Sequence, residues 1–285
     1  MSTQDSHPYR GQTVVLTTKH KKYELVEPAI RGMTGLNVLL YEADTDILGT
    51  FSGEVSRTLT ARESAIEKAR MGTRSLGQSL GVASEGTIGP DPWLPFARSD
   101  IEHLAFVDED LGIEIVEVYR SLDIIAGEIV TSPGAELSRF LKSVDFPNHK
   151  LMVTPNQGDI RDSVKGLGST ADLVEAIDYI AGKSQDGNVV LKSDLRAHCS
   201  PSRQRNIEKA AEMLAGRLSR LCPECKAPGW GVVGYRQGLN CSSCGGMVPT
   251  AKSSEILGCA KCGKEALGKQ IAIQADPSRC DFCNP

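Results

Sequence analysis

The sequence predicts an α/β fold, with a mixed central sheet flanked by helices, followed by a small cysteine-rich module. Two observations support this prediction. Over residues 13–90, strand-like and helix-like stretches alternate, which is the pattern of an α/β sheet. Eight of the nine cysteines then lie between Cys222 and Cys283, in a stretch with few of the apolar residues that a core requires. We therefore predict an α/β domain over residues 1–221 and a separate module over residues 222–285.

Length and composition indicate a globular protein. With 285 residues, the chain is long enough for one sizeable hydrophobic core and a smaller unit. Its formal net charge of -4 argues against a general electrostatic attraction to nucleic acid. The amino-terminal residues contain no apolar segment typical of a secretory signal, and no apolar run reaches the ~18 residues that a membrane span needs. We therefore expect a cytoplasmic protein that does not enter a membrane.

Strands and helices alternate through the amino-terminal part of the chain. Strands are predicted over residues 13–18 and 36–43 and within 79–93, and helices over residues 22–35 and 60–77. The strands are runs of β-branched and other apolar residues. The second helix is rich in alanine and charged helix formers, and Gly77 is placed to end it. Pro28 fits the first helix only in its first turn or at a kink.

The pattern changes after residue 100, where we predict a β-meander and therefore a mixed sheet. Its three strands are expected over residues 101–110, 112–121 and 123–132. Further helices are predicted over residues 135–144, 169–183 and 200–221, and further strands over residues 149–156 and 187–194. The last helix keeps apolar residues at helical spacing and runs up to Cys222, which places the domain boundary near residue 221.

The cysteines predict metal sites. Eight of them form four Cys-x2-Cys pairs, at Cys222 and Cys225, Cys241 and Cys244, Cys259 and Cys262, and Cys280 and Cys283. Each such turn directs two thiolates at one tetrahedral ion, and this spacing is typical of zinc sites. We predict two zinc ions, each held by four thiolates. The simpler assignment is two consecutive zinc ribbons, whereas a cross-braced alternative joins the first pair to the third.

Four thiolates leave no open position on the ion, so we expect both zinc sites to be structural. The module would then offer a surface for a protein partner, for dimerisation or for nucleic acid, or it would only stabilise itself. Because its basic and aromatic residues are scattered, we favour a protein partner over nucleic acid. The ninth cysteine, Cys199, is expected to be a buried thiol rather than a ligand.

Charged residues gather near the ends of the predicted strands. They are Lys19, His20, Lys21 and Lys22 after the first strand, Glu54 and Glu85 after the second and third, and Asp194, Arg196, His198 and Arg203 around the start of the last helix. A basic turn before a helix suits phosphate binding. The two glutamates could hold Mg²⁺ on that phosphate. The alternative interpretation is that all of these groups are solvated surface charges.

These motifs resemble the inosine triphosphate pyrophosphatase superfamily over residues 13–220. The stretch VVLTTKHKK is similar to its first strand and phosphate loop, TARESAIEKAR to its helix that carries a lysine here at Lys68, and GVASEGTIG to its acidic segment, here with Glu85. The stretch SPSRQRNIEKAAEML resembles its final helix, in which Arg203 matches a base-recognition arginine. The resemblance implies an inosine triphosphate pyrophosphatase-like fold and Mg²⁺-dependent hydrolysis of nucleoside triphosphates. The whole chain also resembles an uncharacterised bacterial family with a C-terminal double zinc ribbon, through DTD…GTF, SEG…GP and DLRAH…PSR.

We predict a nucleotide-phosphate hydrolase or nucleotide-binding protein. The basic turn and Lys68 would hold phosphates, and Glu54 and Glu85 would bind Mg²⁺ or activate water. The group around the start of the last helix would line the base or phosphate pocket, in which His198 could act as general base. The alternative is a non-catalytic zinc-ribbon adaptor that binds a protein or nucleic acid, with the α/β domain as its scaffold.

Overall fold

The computed structural model describes residues 7–19, 21–48 and 58–285, so the predicted site residues His20 and Glu54 lie outside the described residues. The fold is mixed α/β, as predicted, with five α-helices and three sheets in the described part. The α/β part contains two sheets, and the sequence did not predict the second as a separate sheet. Within the described residues, no helix has the length and apolar character needed to cross a membrane.

The first sheet is mixed and contains the predicted alternation. Its strands are β1 (Thr13–Thr18), β2 (Asn37–Glu42), β3 (Leu80–Pro90), β4 (Arg98–Asp108) and β5 (Ile113–Ser121), in the order β2-β1-β3-β4-β5. β1 is parallel to β2 and β3, while β3, β4 and β5 are antiparallel neighbours. The pairing of β1 with β3 ends at Thr17 and Ala83, so Ser84 and the residues after it extend beyond the carboxyl end of β1.

Helices cover both faces of this sheet. They are α1 (Tyr23–Thr34), α2 (Ala61–Leu76) and α5 (Pro201–Leu218). The alanines of α2 pack against Ala83 and Ala105 on one face, whereas α1 and α5 pack on the other face, around Phe106. α2 ends before Gly77, as predicted, because this glycine adopts the left-handed conformation that closes a helix. Pro28 lies inside α1 rather than in its first turn.

The second sheet corrects the predicted meander. Its strands are β6 (Glu128–Thr131), β7 (Leu151–Pro155), β8 (Val164–Leu167) and β9 (Val189–Ser193), in the order β6-β9-β7-β8, and the nearby helices are α3 (Ser138–Ser143) and α4 (Thr170–Ala181). β6 is the expected third meander strand, but it pairs with β9. Contacts with α5 explain this difference. Asn206 donates to Asp123 O at 3.1 Å, and Ile125 N donates to Ser202 Oγ at 3.1 Å, which leads the chain from β5 to the second sheet.

The cysteine-rich module is a three-stranded antiparallel sheet that packs on the α/β part. Its strands are β10 (Gly231–Asn240), β11 (Met247–Gly258) and β12 (Glu265–Gln270), adjacent in that order. Cys222 and Cys259 are buried in the same core cluster as Ile115 of β5 and Leu218 of α5. The packing therefore crosses the boundary that the sequence predicts near residue 221.

Gly229 forms part of this contact and allows a test of it. Its φ is 98°, and a Cβ there would overlap the side chain of Ile115. We expect Gly229→Ala to lower the free energy of unfolding by about 2–3 kcal/mol, because it adds backbone strain and steric overlap. Gly245→Ala is the control, since Gly245 has φ 74° but nothing within 4 Å of the added Cβ. Equilibrium denaturation measures both variants, and an equal loss in the two would contradict the packing.

Candidate functional site

The eight paired cysteines form two clusters. The first contains Cys222, Cys225, Cys259 and Cys262, and the second contains Cys241, Cys244, Cys280 and Cys283. Sulfurs of different turns lie 3.8 and 3.6 Å apart in the first cluster and 3.9 and 3.6 Å apart in the second. Four sulfurs bound at about 2.3 Å to a tetrahedral ion lie about 3.8 Å apart, whereas disulfide-bonded sulfurs lie about 2.05 Å apart. Each cluster could therefore hold one zinc ion.

The two clusters are cross-braced, because the first Cys-x2-Cys pair joins the third and the second joins the fourth. The assignment of two consecutive ribbons is therefore wrong. The cause is β10, whose ten extended residues separate the first pair from the second by ~30 Å. β11 then returns antiparallel to β10, and its end at Gly258 pairs with Gly231 beside the first cluster. The strands thus place one cluster at each end of the module's sheet.

Backbone N–H groups lie close to two sulfurs of the second cluster and stabilise the thiolate of Cys241. Ser243 N lies 3.4 Å from Cys241 Sγ, and Gly246 N lies 3.4 Å from Cys244 Sγ. The N–H groups of Cys244 and Ser243 lower the pKa of the Cys241 thiol to about 7. Because the thiolate is the form that binds zinc, this bonding favours metal binding at neutral pH.

A second candidate site lies in the α/β part, beyond the carboxyl end of β1. We call it the buried charge cluster, and it consists of Lys22, Lys68, Glu85, Asp100, Glu102 and Arg203. Lys68 of α2 forms an ion pair with Glu85 of β3, and Arg203 of α5 donates from Nε to Glu102 Oε1 at 2.6 Å. A Cβ at Gly86 would overlap both the guanidinium and the Glu102 carboxylate. The glycine therefore makes room for a fully buried ion pair against β3.

Lys22 joins this cluster from the turn before α1. Its Nζ donates to Ser84 Oγ at 2.7 Å. Burial, and then the charge of Arg203, lowers the pKa of Lys22 to about 8. The Lys22 side chain is therefore mostly charged at neutral pH, but it loses its proton at a lower pH than a lysine with the usual pKa does.

Asp100 and Glu102 form a carboxyl pair on the same face of β4. Burial, and then the charge of Glu102, raises the pKa of Asp100 to about 7. Burial alone would raise the pKa of Glu102, but the charges of Arg203 and Lys22 bring it below its usual value. Asp100 Oδ1 and Glu102 Oε2 have no other hydrogen-bond partner among the described residues. When Asp100 is protonated, it can donate a hydrogen bond to Glu102, which pairs these two atoms. Asn206 donates to Asp100 Oδ2 at 2.9 Å.

The predicted junction before α5 is a turn that is joined to the buried charge cluster. Arg196 Nε donates to Asp194 Oδ1 at 2.9 Å, so the two side chains form an ion pair. The buried Asp194 also accepts from Gly166 N at 2.9 Å. Arg203 donates from Nη1 to Leu195 O at 2.6 Å. One guanidinium therefore contacts both the buried carboxylate and the turn.

His198 and Cys199 lie at the end of this turn. Burial, and then the charge of Arg196, lowers the pKa of His198, and the charge of Lys21 contributes to the same shift. Lys21 therefore lies near His198. Cys199 is buried and lies outside both cysteine clusters, as predicted, and burial raises the pKa of its thiol to about 11.

A cleft of about 140 Å³ lies between the two sheets of the α/β part. We call it the inter-sheet cleft, and it is lined by Ile88, Met152, Lys165, Lys192, Ser193, Asp194, Leu195 and Arg196. Lys165 of β8 and Lys192 of β9 both pair in register with Met152 of β7, so the three residues form a row across one face of the second sheet. Three cations thus line the cleft together with one carboxylate.

The structure brings most of the predicted residues of the α/β part close together. Lys22, Lys68, Glu85 and Arg203 lie in the buried charge cluster, and Asp194, Arg196 and His198 lie in the turn that Arg203 contacts. Lys19 instead forms an exposed ion pair with Asp44 at 2.7 Å. The roles of these residues in binding or catalysis stay predictions.

Asp100, Glu102 and Lys165 are charged residues of these sites that the sequence analysis did not predict. Asp100 and Glu102 lie on the same face of β4 as the buried Leu104 and Phe106. Carboxylates at inward positions of an apolar strand are unusual, and this signal could have found them. Lys165 lies on the short strand β8, which no sequence pattern predicted.

A Ser–His–Asp chain lies at the start of α5 and acts as a helix cap. His149 Nδ1 lies 2.9 Å from Asp145 Oδ2, and His149 Nε2 lies 3.0 Å from Ser202 Oγ. Ser202 is fully buried and also accepts from Ile125 N, so no substrate can reach its oxygen. Ser202 N donates to His149 Nε2 at 3.1 Å, which pairs one of the N–H groups that a helix leaves open at its start. The hydrogen bonds between Asp145, His149 and Ser202 therefore position the start of α5 and, with it, Arg203.

Comparison with known proteins finds one family. The model of a domain of unknown function, DUF6671, matches residues 68–285, which is more than half of the chain and includes both cysteine clusters. No curated protein matches the chain significantly. Neither comparison supports the resemblance to the inosine triphosphate pyrophosphatase superfamily, which stays a prediction.

Zinc content distinguishes the two possible ligand arrangements. We expect the wild-type chain to bind two zinc ions. Cys225→Ser combined with Cys262→Ser removes two ligands of one cluster, so this double variant should keep one zinc ion. Cys225→Ser combined with Cys244→Ser is the matched control, which removes one ligand from each cluster and should bind none tightly. Metal analysis after dialysis measures both, and consecutive ribbons would reverse the two results.

The carboxyl pair predicts a pH-dependent stability. Folding raises the pKa of Asp100 from 3.8 to about 7, so the folded protein keeps a proton that the unfolded chain loses between these values. Over this range the free energy of unfolding should therefore fall as pH rises, by at most about 1.4 kcal/mol per pH unit from this group. Asp100→Asn should remove this contribution to the pH dependence. The control Asp110→Asn, at an exposed position, should not. Denaturation at several pH values measures the slope, and an unchanged slope in Asp100→Asn would contradict the shift.

Proposed function

Since the chain belongs to the DUF6671 family of domains of unknown function, we propose from its geometry that the α/β part binds and hydrolyses a nucleotide phosphate or a related phosphate ester. The observation that carries the proposal is the charge of the buried cluster. Among the described residues it contains three cations and, below about pH 7, two carboxylates, because Asp100 keeps its proton. A buried excess of positive charge is costly unless an anion compensates it.

The cations come from segments that meet where ligands bind in α/β sheets, outside the carboxyl ends of parallel strands. Lys22 follows β1, Lys68 lies on α2, and Arg203 lies in the first turn of α5. Lys21, which is exposed, extends the positive region outward toward His198. A phosphate group at this edge would have cations on several sides, which is the arrangement that phosphate binding favours.

The inter-sheet cleft continues the positive region on the other side of the turn. Lys165, Lys192 and Arg196 line it, and Asp194 is its carboxylate. Because the whole chain has a net charge of -4, such a local group of cations favours an anionic ligand. Ile88, Met152 and Leu195 contribute apolar surface to the same cleft. A cleft with both cations and apolar surface suits a ligand that carries both phosphate and apolar groups.

Hydrolysis needs an activated water and compensation of the phosphate charge. Mg²⁺ is usually held by one or two carboxylates together with substrate phosphates. Glu85 would supply one such carboxylate, and Glu54 is the second predicted ligand. Apart from the two cysteine clusters, no group of three His, Cys, Asp or Glu ligands occurs among the described residues, so the phosphate would have to complete the metal site. His198, whose pKa is lowered, is neutral at pH 7 and could accept a proton from water.

Binding tests the first part of the proposal. Calorimetry with nucleoside mono-, di- and triphosphates and pyrophosphate, each with Mg²⁺, should identify a ligand of the zinc-loaded chain. Lys22→Gln removes one cation but keeps a donor for Ser84, so we expect affinity to fall at least about tenfold, or 1.4 kcal/mol. Lys183→Gln is the control, because Lys183 is an exposed residue that pairs with Asp162. A wild-type chain that binds no member of the panel would contradict the proposal.

Phosphate release tests the second part. Glu85→Gln keeps a hydrogen-bonding partner for Lys68 but removes the carboxylate. We expect this variant to bind the ligand and to release phosphate at least about 100-fold more slowly than the wild type, since a positioned acid or base contributes on that scale. Binding without any release by the wild type would leave a binding protein and would refute hydrolysis.

A further inference from the structure

A groove runs between the α/β part and the cysteine-rich module. It consists of two clefts of about 340 and 440 Å³. The two clefts share the lining residues Val116, Arg217, Val232 and Val233, so they are continuous. The groove is separate from the buried charge cluster and from the inter-sheet cleft.

Two sheet edges form the walls of this groove. β5 is the last strand of the first sheet, and β10 is the first strand of the module's sheet, so each has one strand neighbour among the described residues. Edge strands present N–H and C=O groups that can pair with an added strand. The two clefts follow β5 from Glu114 to Val118, a length of about 13 Å in an extended chain.

Half-exposed apolar side chains line the groove. They are Val118 of β5, Met213 of α5, and Val233 and Tyr235 of β10, each 40 to 49% exposed. A contiguous apolar surface contributed by three elements is a feature of protein-binding sites. Added strands are recognised in this way, by main-chain pairing along the edge and by side-chain contacts at alternate positions.

The charges of the groove indicate what its occupant carries at one end. Arg62 lines one cleft together with the carboxylates of Glu114 and Glu265, so that end carries both signs of charge. Arg220 lines the other cleft, and among the described residues no carboxylate forms an ion pair with it. In the centre, by contrast, Arg217 pairs with Glu117 at 2.8 Å. The centre is thus neutralised, and the end at Arg220 offers a guanidinium to an acidic group.

We propose that the groove binds an extended segment of a partner protein as an added β-strand, with apolar residues at alternate positions and an acidic residue near the end that reaches Arg220. The central apolar surface would take the apolar side chains, and Arg220 would take the acidic one. The cysteine module then has a role beyond its own stability, since β10 supplies one wall. This inference does not depend on the proposed hydrolase activity.

A displayed library of random nine-residue peptides tests the proposal on the full, zinc-loaded chain. Selection should enrich peptides with alternating apolar residues and an acidic residue at one end. Val118→Glu should weaken an enriched peptide at least tenfold. Val174→Glu is the matched control, because Val174 is also a half-exposed valine, on α4 and outside the groove. Circular dichroism and zinc content establish that each variant is folded.

Two further measurements distinguish a strand from other occupants. Arg220→Glu should shift the preference at one peptide end from acidic to basic residues. N-methylation of the peptide should abolish binding at each position whose N–H group faces the sheet edge. N-methylation at the positions between them should leave the affinity unchanged. The proposal would be overturned if no peptide were enriched, or if Val118→Glu left the affinity of the enriched peptide unchanged. It would also be overturned if sedimentation showed that the chain self-associates through the groove.

Discussion

The buried guanidinium of Arg203 is the contact on which the rest of the α/β part depends. It pairs with Glu102 on β4 and donates to Leu195 O, so it fixes the start of α5 against the first sheet and holds the turn before it. The absence of a side chain at Gly86 makes this possible. Removing one partner of a buried ion pair leaves the other charge without compensation, which is strongly destabilising. The fold and the candidate site therefore share the same interaction.

Helix α5 connects this interaction to the cysteine-rich module. It begins at the buried charge cluster and ends at Leu218, shortly before Cys222, the first cysteine of the first cluster. Leu218 and Cys222 lie in the hydrophobic core that α5 shares with β4 and β5. Since metal binding contributes folding free energy to such a cluster, zinc in the first cluster should stabilise the α/β part as well. The family model, which matches residues 68–285, includes both α5 and the first cluster.

The sequence predicted best what local patterns determine. β1, α2 and the eight cysteines of the two clusters follow from apolar runs, helix caps and Cys-x2-Cys spacing. Long-range contacts decided the rest. The third meander strand joined another sheet because Asn206 and Ser202 hold the chain that precedes it. Cross-bracing depends on the length of β10, and the spacing between cysteine pairs fits either arrangement.

The side-chain pKa of Lys22, followed by NMR through its Cε and Nζ shifts, tests most directly whether the buried charge cluster is an anion site. In the free protein we expect a pKa of about 8, because burial and Arg203 disfavour the ammonium. A phosphate bound beside the cluster stabilises the charged form, so saturation with pyrophosphate and Mg²⁺ should raise this pKa. A pKa that stays the same after the ligand has bound would contradict a phosphate site at Lys22.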